Sequence, residues 1–343
     1  MNRANCMGAA RAETENERAR TTMAHANTAA DASSAAPAVA RPLLVTGTIG
    51  IDTVETPSAR ADRVLGGSAA YFAAAASRLT PVRLVGVVGD DLPAAHRATL
   101  EGLGGVDLRG LETRAGGKTF AWGGKYLLNL NERETLFTEL GVVADAPPRV
   151  PDVFADSEFV FLGNTHPAVQ AGLLEQVPSR AVAVADTMDL WINVAHDELV
   201  HLLSKVDGIV LNDSEAAQLT GVRNAITAGR RILGYGPTFA VVKKGEHGAV
   251  LVHRDGVAVV PAFPAEEDMV VDPTGAGDTF AGGFMAHLAR TGRSDLDTLQ
   301  EALAWGTVMA SFTIGAFSLD GVARATPADL AERYRRFARH ARV

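Results

Sequence analysis

The run Asp272-Pro273-Thr274-Gly275-Ala276-Gly277-Asp278 carries the strongest chemical signal in this sequence. Val270 and Val271 lead into it as a strand end, and Phe280, Ala281, Phe284, Met285, Leu288 and Ala289 follow at helical spacing. The spacing predicts a glycine-rich turn at a helix N-terminus. The first N–H groups of such a helix have no intrahelical partner, and the helix dipole adds partial positive charge there. Gly275, Ala276 and Gly277 carry little or nothing that would block an anion. The turn therefore reads as a phosphate or oxyanion cradle. Asp278 falls in the first helical turn, where the dipole is expected to keep it ionised. A carboxylate held there can orient a hydroxyl and accept its proton while a phosphoryl group is attacked. The plainer alternative is an aspartate that only stabilises the helix start. It leaves the two glycines, the alanine and the preceding Pro-Thr pair unexplained.

Competing motifs are missing. There is no Gly-x-x-x-x-Gly-Lys-Ser/Thr run, and no Gly-x-Gly-x-x-Gly follows a strand. His196 and His201 are five apart, where a helical zinc pair needs a spacing of four. A formal net charge of −8 argues against a nucleic-acid or anionic-membrane surface. Cys6 is alone among 343 residues, so an internal disulfide is excluded and the chain reads as cytoplasmic. No run is long and apolar enough to span a membrane.

The elements that must position Asp278 follow an α/β alternation. Residues 1–40 are rich in Ala, Thr, Asn, Arg and Glu without an apolar h-region, which predicts a disordered tail. A single domain over 41–343 is expected after it. Leu43–Val45 and Val82–Val88 read as strands, Ser68–Leu79 as a buried Ala-rich helix and 93–103 as an amphipathic helix. Phe159–Leu162, Ala181–Val184, Gly208–Leu211 and Ala240–Lys243 are near-continuous apolar runs that suit parallel strands buried on both faces. Asn164, Asp186, Asn212 and Lys243 lie at their carboxyl ends, where doubly wound sheets bind ligands. Between about 108 and 143 the pattern changes to short strands separated by Asn129-Leu130-Asn131-Glu132-Arg133. This predicts a small β lid, joined by residues 53–65. On it Trp122, Lys125, Tyr126, Asn129, Asn131 and Arg133 are candidates to face an acceptor, and alternation lets only about half of them do so. Trp191 either lines the site or packs.

The stretch Asp272 to Met285 resembles the C-terminal signature of the ribokinase/PfkB carbohydrate kinase family. Asn212-Asp213-Ser214-Glu215 is similar to the family's N-x-x-E motif, although the same residues also form a helix capping pattern. Val241 to Ala249 resembles a strand and turn near the nucleotide. The resemblance implies a ribokinase-like three-layer α/β/α fold with a central mostly parallel sheet and a β lid. It implies an ATP-dependent kinase, with Asp278 as base and Gly275, Ala276 and Gly277 as anion hole. Asn212, Glu215, Lys243, Gly245 and Thr274 would then serve ATP and Mg²⁺, Glu215 acting on the metal indirectly. Asp52, Gly66, Gly67, Tyr71 and Asn164 would serve a small polyhydroxylated acceptor. It leaves room for K⁺ beside Asp272 and for a homodimer through the lid. The run Ala310 to Ala316 resembles a wall of the adenine pocket. One departure stands out: Tyr71 occupies the place of an acceptor-binding Asn. It either closes part of a sugar pocket, stacks on a ring, or is a core aromatic. A sugar is the expected acceptor, a nucleoside the alternative, and a non-catalytic nucleotide- or sugar-binding regulator a minority reading.

Overall fold

The computed structural model describes residues 41–266 and 269–341. The expectation for residues 1–40 lies outside the described residues. Among these residues a nine-stranded sheet forms the middle layer. Its parallel part comprises β1 (Leu43–Thr46), β4 (Val82–Gly89), β5 (Val106–Arg114), β8 (Phe159–Leu162), β9 (Val182–Asp186), β10 (Gly208–Asn212) and β11 (Phe239–Lys243). Two antiparallel strands, β12 (Ala249–His253) and β13 (Val257–Val260), finish one edge. The central strands are apolar and buried throughout, as expected where helices cover both faces.

One face of the sheet is covered by α1 (Ser68–Ala76), α8 (Ala276–Thr291) and α9 (Leu296–Thr313). Every residue of α1 is buried, because its alanines let it lie close to α8 and the sheet. Phe72 stacks on Phe161 of β8 at 4.5 Å between ring centroids. The opposite core is closed by α3 (Pro167–Glu175), α5 (His196–Leu203), α6 (Asp213–Thr220) and α7 (Ala225–Leu233). Helix, sheet and helix give three layers, the architecture expected from the sequence.

A second sheet of four strands forms the lid. Its order is β3 (Arg60–Gly66), β2 (Gly50–Glu55), β6 (Phe120–Tyr126) and β7 (Arg133–Glu139). Two boundaries differ from expectation. Residues 108–114 run in β5 at the edge of the large sheet, parallel to β4, so they do not belong to the lid. Asp52 lies inside the lid strand β2 and not at the end of the strand begun by Leu43, because Gly47–Ile49 separate β1 from β2.

Candidate active site

The strand ends bring the polar residues together. Asp186 ends β9, Asn212 ends β10 and Lys243 ends β11, with Asn212 and Lys243 in register. Across from them α8 begins after Gly275, which has φ +73°. A side chain is strained in that left-handed conformation, and a β-carbon there would meet the ring of Tyr71 at 2.3 Å. Gly275 therefore lets the turn close over Tyr71 and leaves the N–H groups of the first helical turn facing out. With 1% of its surface exposed, Tyr71 is placed as a core aromatic, and no face of its ring is left for a stack on an acceptor.

Lys243 reaches under the turn from the sheet. Its Nζ lies 2.7 Å from where a β-carbon of Gly277 would sit. Burial lowers the pKa of the ammonium, and the charges of Asp186, Glu215 and Asp278 outweigh it and raise it. Those acids respond in turn. Burial, with the negative charge of Asp186, lifts Asp278 to about 7, while Lys243 and Arg133 pull it down. Burial likewise lifts Glu215 to about 7, opposed by Lys243. The expectation that the helix dipole keeps Asp278 fully ionised at neutral pH is therefore not met, because desolvation outweighs it. The result is a carboxyl group that titrates near neutrality at an anion cradle, which is where a general base is most effective.

The acceptor side is built by β2 and the start of α1. Asp52 is 4% exposed, and a β-carbon on Gly66 would lie only 1.9 Å from its Oδ2. Desolvation raises its pKa to about 7, offset in part by the Gly67 N–H. Its Oδ1 has no hydrogen-bond partner among the described residues. The hydroxyl of Tyr71 and Oδ2 of Asp272 are buried and unpartnered in the same way. Oδ1 of Asp272 accepts from the Thr274 N–H at 2.8 Å. Thr274 Oγ1 donates to the Tyr126 hydroxyl at 3.2 Å, which ties the lid to the turn.

Other expected residues are placed with more ordinary tasks. Asn212 and Glu215 form a full capping box on α6: the Asn212 N–H donates to Glu215 Oε2 at 2.7 Å, and the Glu215 N–H to Asn212 Oδ1 at 2.8 Å. That leaves one Glu215 oxygen and the Asn212 amide nitrogen for a ligand. Asn164 accepts from Trp191 Nε1 at 2.9 Å and points its amide at the Met188 sulfur, so both residues are engaged with each other. Gly245 opens the turn after β11 and approaches Asn131 of the lid. Of the lid candidates, Trp122, Tyr126 and Arg133 share the inner face. Asn129 caps the hairpin turn, accepting from the N–H groups of Asn131 and Glu132. Asp186 carries more of the electrostatics than its place in the sequence suggested. Its signal was an acid ending an apolar strand.

Residues 50–322 match the model of the pfkB family of carbohydrate kinases. The chain belongs to that family. A pfkB relative, the cytidine kinase of Thermococcus kodakarensis, is 31% identical over 254 residues, spanning 72% of this chain and 88% of its own. Two solved structures share the pfkB fold. An Escherichia coli protein assigned as ribokinase II, with ATP and Mg²⁺, aligns at TM-score 0.70 and 18% identity over 88% of this chain and 100% of its own. Aminoimidazole riboside kinase of Salmonella enterica, with aminoimidazole riboside and an ATP analogue, aligns at TM-score 0.68 and 20% identity over 85% and 99%. Sugar and nucleoside kinases are thus the chain's homologues, and the ribokinase-like fold is its fold. Among the described residues no helix is long and apolar enough to cross a membrane.

Proposed function

We propose that this pfkB protein transfers the γ-phosphoryl group of ATP to a ribose hydroxyl of a nucleoside. The observation that carries the reaction is the junction of Asp278, titrating near neutrality, with a glycine-rich helix start that no side chain caps. The acceptor hydroxyl gives its proton to the Asp278 carboxylate. Its oxygen bonds to the γ-phosphorus, and the bond from that phosphorus to the bridging oxygen breaks, releasing ADP. The helix N–H groups stabilise the transferring oxygens. The unpartnered Oδ1 of Asp52 is suited to accept from a neighbouring hydroxyl of the acceptor.

The remaining Glu215 oxygen and the Asn212 amide nitrogen fit the water shell of a Mg²⁺ ion bound with ATP. Such an ion would neutralise phosphate charge. Asp272, with one buried oxygen unpartnered, fits a K⁺ ion, and the test is turnover in K⁺ against tetramethylammonium. A homodimer through the lid is also part of this reading. Strand β7 is exposed along its whole length and carries Leu136 and Phe137. Solution mass from light scattering decides that point.

A nucleoside is favoured over a free sugar on two grounds. The cytidine kinase match extends over most of both chains, and Trp122 lies in register with Asp52 across β2 and β6, offering an aromatic surface beside the ribose site. ADP release measured with cytidine, uridine, adenosine, ribose and fructose tests the choice. A nucleoside should exceed either free sugar in kcat/KM by at least about tenfold, since a base contributes binding that a sugar lacks. Equal or better turnover of ribose or fructose overturns the nucleoside assignment.

A further inference from the structure

We infer that Gln170 is a positioning residue for the reaction: from the helix layer it holds the carboxyl end of β9, and through it Asp186, in place beside Lys243 and Asp278. The inference rests on the kinase reading above and adds a group that acts through another. Gln170 lies on α3 and is fully buried. Its Nε2 donates to the carbonyl oxygens of Leu162, Gly163 and Asp186 at 2.9, 3.1 and 2.9 Å. Only the nitrogen end of an amide can face three oxygens, which fixes its orientation.

Those carbonyls stand where two strands part. The β8–β9 ladder ends at Leu162 and Ala185, one residue short of Asp186. On its other side β9 stays paired to β10 as far as Asp186 and Val210. The Asp186 backbone is thus held by a strand on one side and by Gln170 on the side that β8 has left. Gln170 is itself presented from a fixed helix start. Its N–H donates to the His166 carbonyl at 3.1 Å, and His166 Nδ1 accepts from the Ala168 N–H at 3.2 Å.

Packing alone does not call for an amide here. The core on this side of the sheet is built from Leu162, Leu173, Leu174 and Ala185. Gln170 Oε1 is buried with no partner among the described residues, and a buried polar atom left unpaired costs stability. What the amide secures is the three carbonyls, and the third belongs to the acid whose charge dominates the site. Burial raises the pKa of Asp278 most, and the charge of Asp186 comes next. Burial lowers that of Lys243, and the charge of Asp186 leads those opposing it. A buried acid and ammonium offset their desolvation only in close geometry. The Asp186 carboxylate accepts from the adjacent Thr187 N–H at 2.8 Å, a bond to its own stretch of backbone. A shift of that backbone therefore carries the carboxylate with it, and Lys243 and Asp278 lose their alignment.

The test is a double-mutant cycle on the full chain with Q170M and D186N. It reads ADP release with whichever of cytidine, uridine, adenosine, ribose and fructose the wild type turns over fastest. Q170M keeps the length of the side chain and removes the donor. It should lower kcat by about tenfold while the KM for Mg·ATP stays within about threefold. In the D186N background Q170M should lower kcat by no more than about twofold, because groups that act as a unit are not additive. An equal loss in both backgrounds overturns the proposal, since a general loosening of the fold would multiply with D186N. A wild-type kcat in Q170M, or a loss confined to KM, overturns it too, and in each case the kinase reading stands. Q170E keeps the shape of the amide and, when protonated, one donor; it replaces Q170M under the same criteria if that variant does not fold. If the wild type phosphorylates none of the five compounds, the kinase reading falls and the role of Gln170 falls with it.

Discussion

Lys243 Nζ lies 2.7 Å from the position that a β-carbon of Gly277 would take, so the sheet's lysine fills the space the turn's glycine leaves. The ammonium holds down the pKa values of Asp278 and Glu215, both of which burial drives up to about 7. Removing it should leave three acids facing one another with less compensation. We expect K243M to move the acidic limb of the pH–rate profile upward by about one pH unit or more. It should also weaken Mg·ATP binding measured by calorimetry. An unmoved limb would show that the charge of Lys243 is not felt at the base.

Asp278 itself sets the direction of the wild-type profile. Its pKa is raised to about 7, and the base works only when ionised. The kcat/KM for the acceptor should therefore climb as pH rises toward 7 and level off above it. D278N, of nearly the same shape, should lower kcat by about a thousandfold, within the range removed with a general base. Mg·ATP affinity should change little, and the melting temperature should match wild type near pH 4 and exceed it above pH 7, where the buried Asp278 carboxylate costs the wild type stability. Near-wild-type turnover in D278N would remove Asp278 from the mechanism.

Asp52 links the acceptor site to stability. Its folded pKa of about 7 lies above its ordinary value of 3.8. The sign follows: the folded chain holds a proton that the unfolded chain releases between those pH values. Its contribution is intact below about 4 and is lost as pH rises through 7. D52N removes that loss. At pH 8 it should melt several degrees higher than wild type, on the order of a few kcal/mol, while near pH 4 the two should converge. Acceptor kcat/KM should fall by a hundredfold or more, since Asn cannot accept as a carboxylate does. Thermal melts across pH, paired with kinetics, test both halves.

Much of this site was legible because its residues are local to one another. The run from Asp272 to Asp278 is a bare loop and a helix start in seven residues, and each part has its own signal; the strand expected to end at Val271 does not form, the N–H groups of Val271 and Asp272 donating instead to the Ile314 carbonyl. The central strands were readable because burial on both faces leaves unbroken apolar runs. β5 was not. Asp107, Arg109, Glu112 and Arg114 give it the mixed character of a half-exposed strand, which an edge strand and a lid strand share. The charge cluster was also hidden. Asp186, Lys243 and Arg133 come from three distant segments, and only the parallel register and the lid bring their charges to bear on Asp278. The pKa of Asp278 was misjudged for that reason: the dipole is a local property, whereas desolvation belongs to the assembled fold.

Tyr71 is the departure from the family pattern, and the structure gives it a packing task beneath Gly275. Its hydroxyl is buried without a partner among the described residues, and the charges of Asp272 and Asp52 help raise its pKa. Y71F keeps the ring and deletes a polar group that burial penalises. It should hold or raise stability by about 1 kcal/mol and leave the acceptor KM within about twofold. Restoring the family's residue is a different matter. Y71N would empty most of the volume under the turn and should cost about 3–5 kcal/mol, the range for deleting a large buried ring. It should also lower kcat, because the turn that presents the N–H groups loses its floor. A Y71F variant whose acceptor KM rises tenfold at unchanged kcat would instead put the phenol hydroxyl on the acceptor. Urea unfolding and steady-state kinetics on the two variants separate these outcomes.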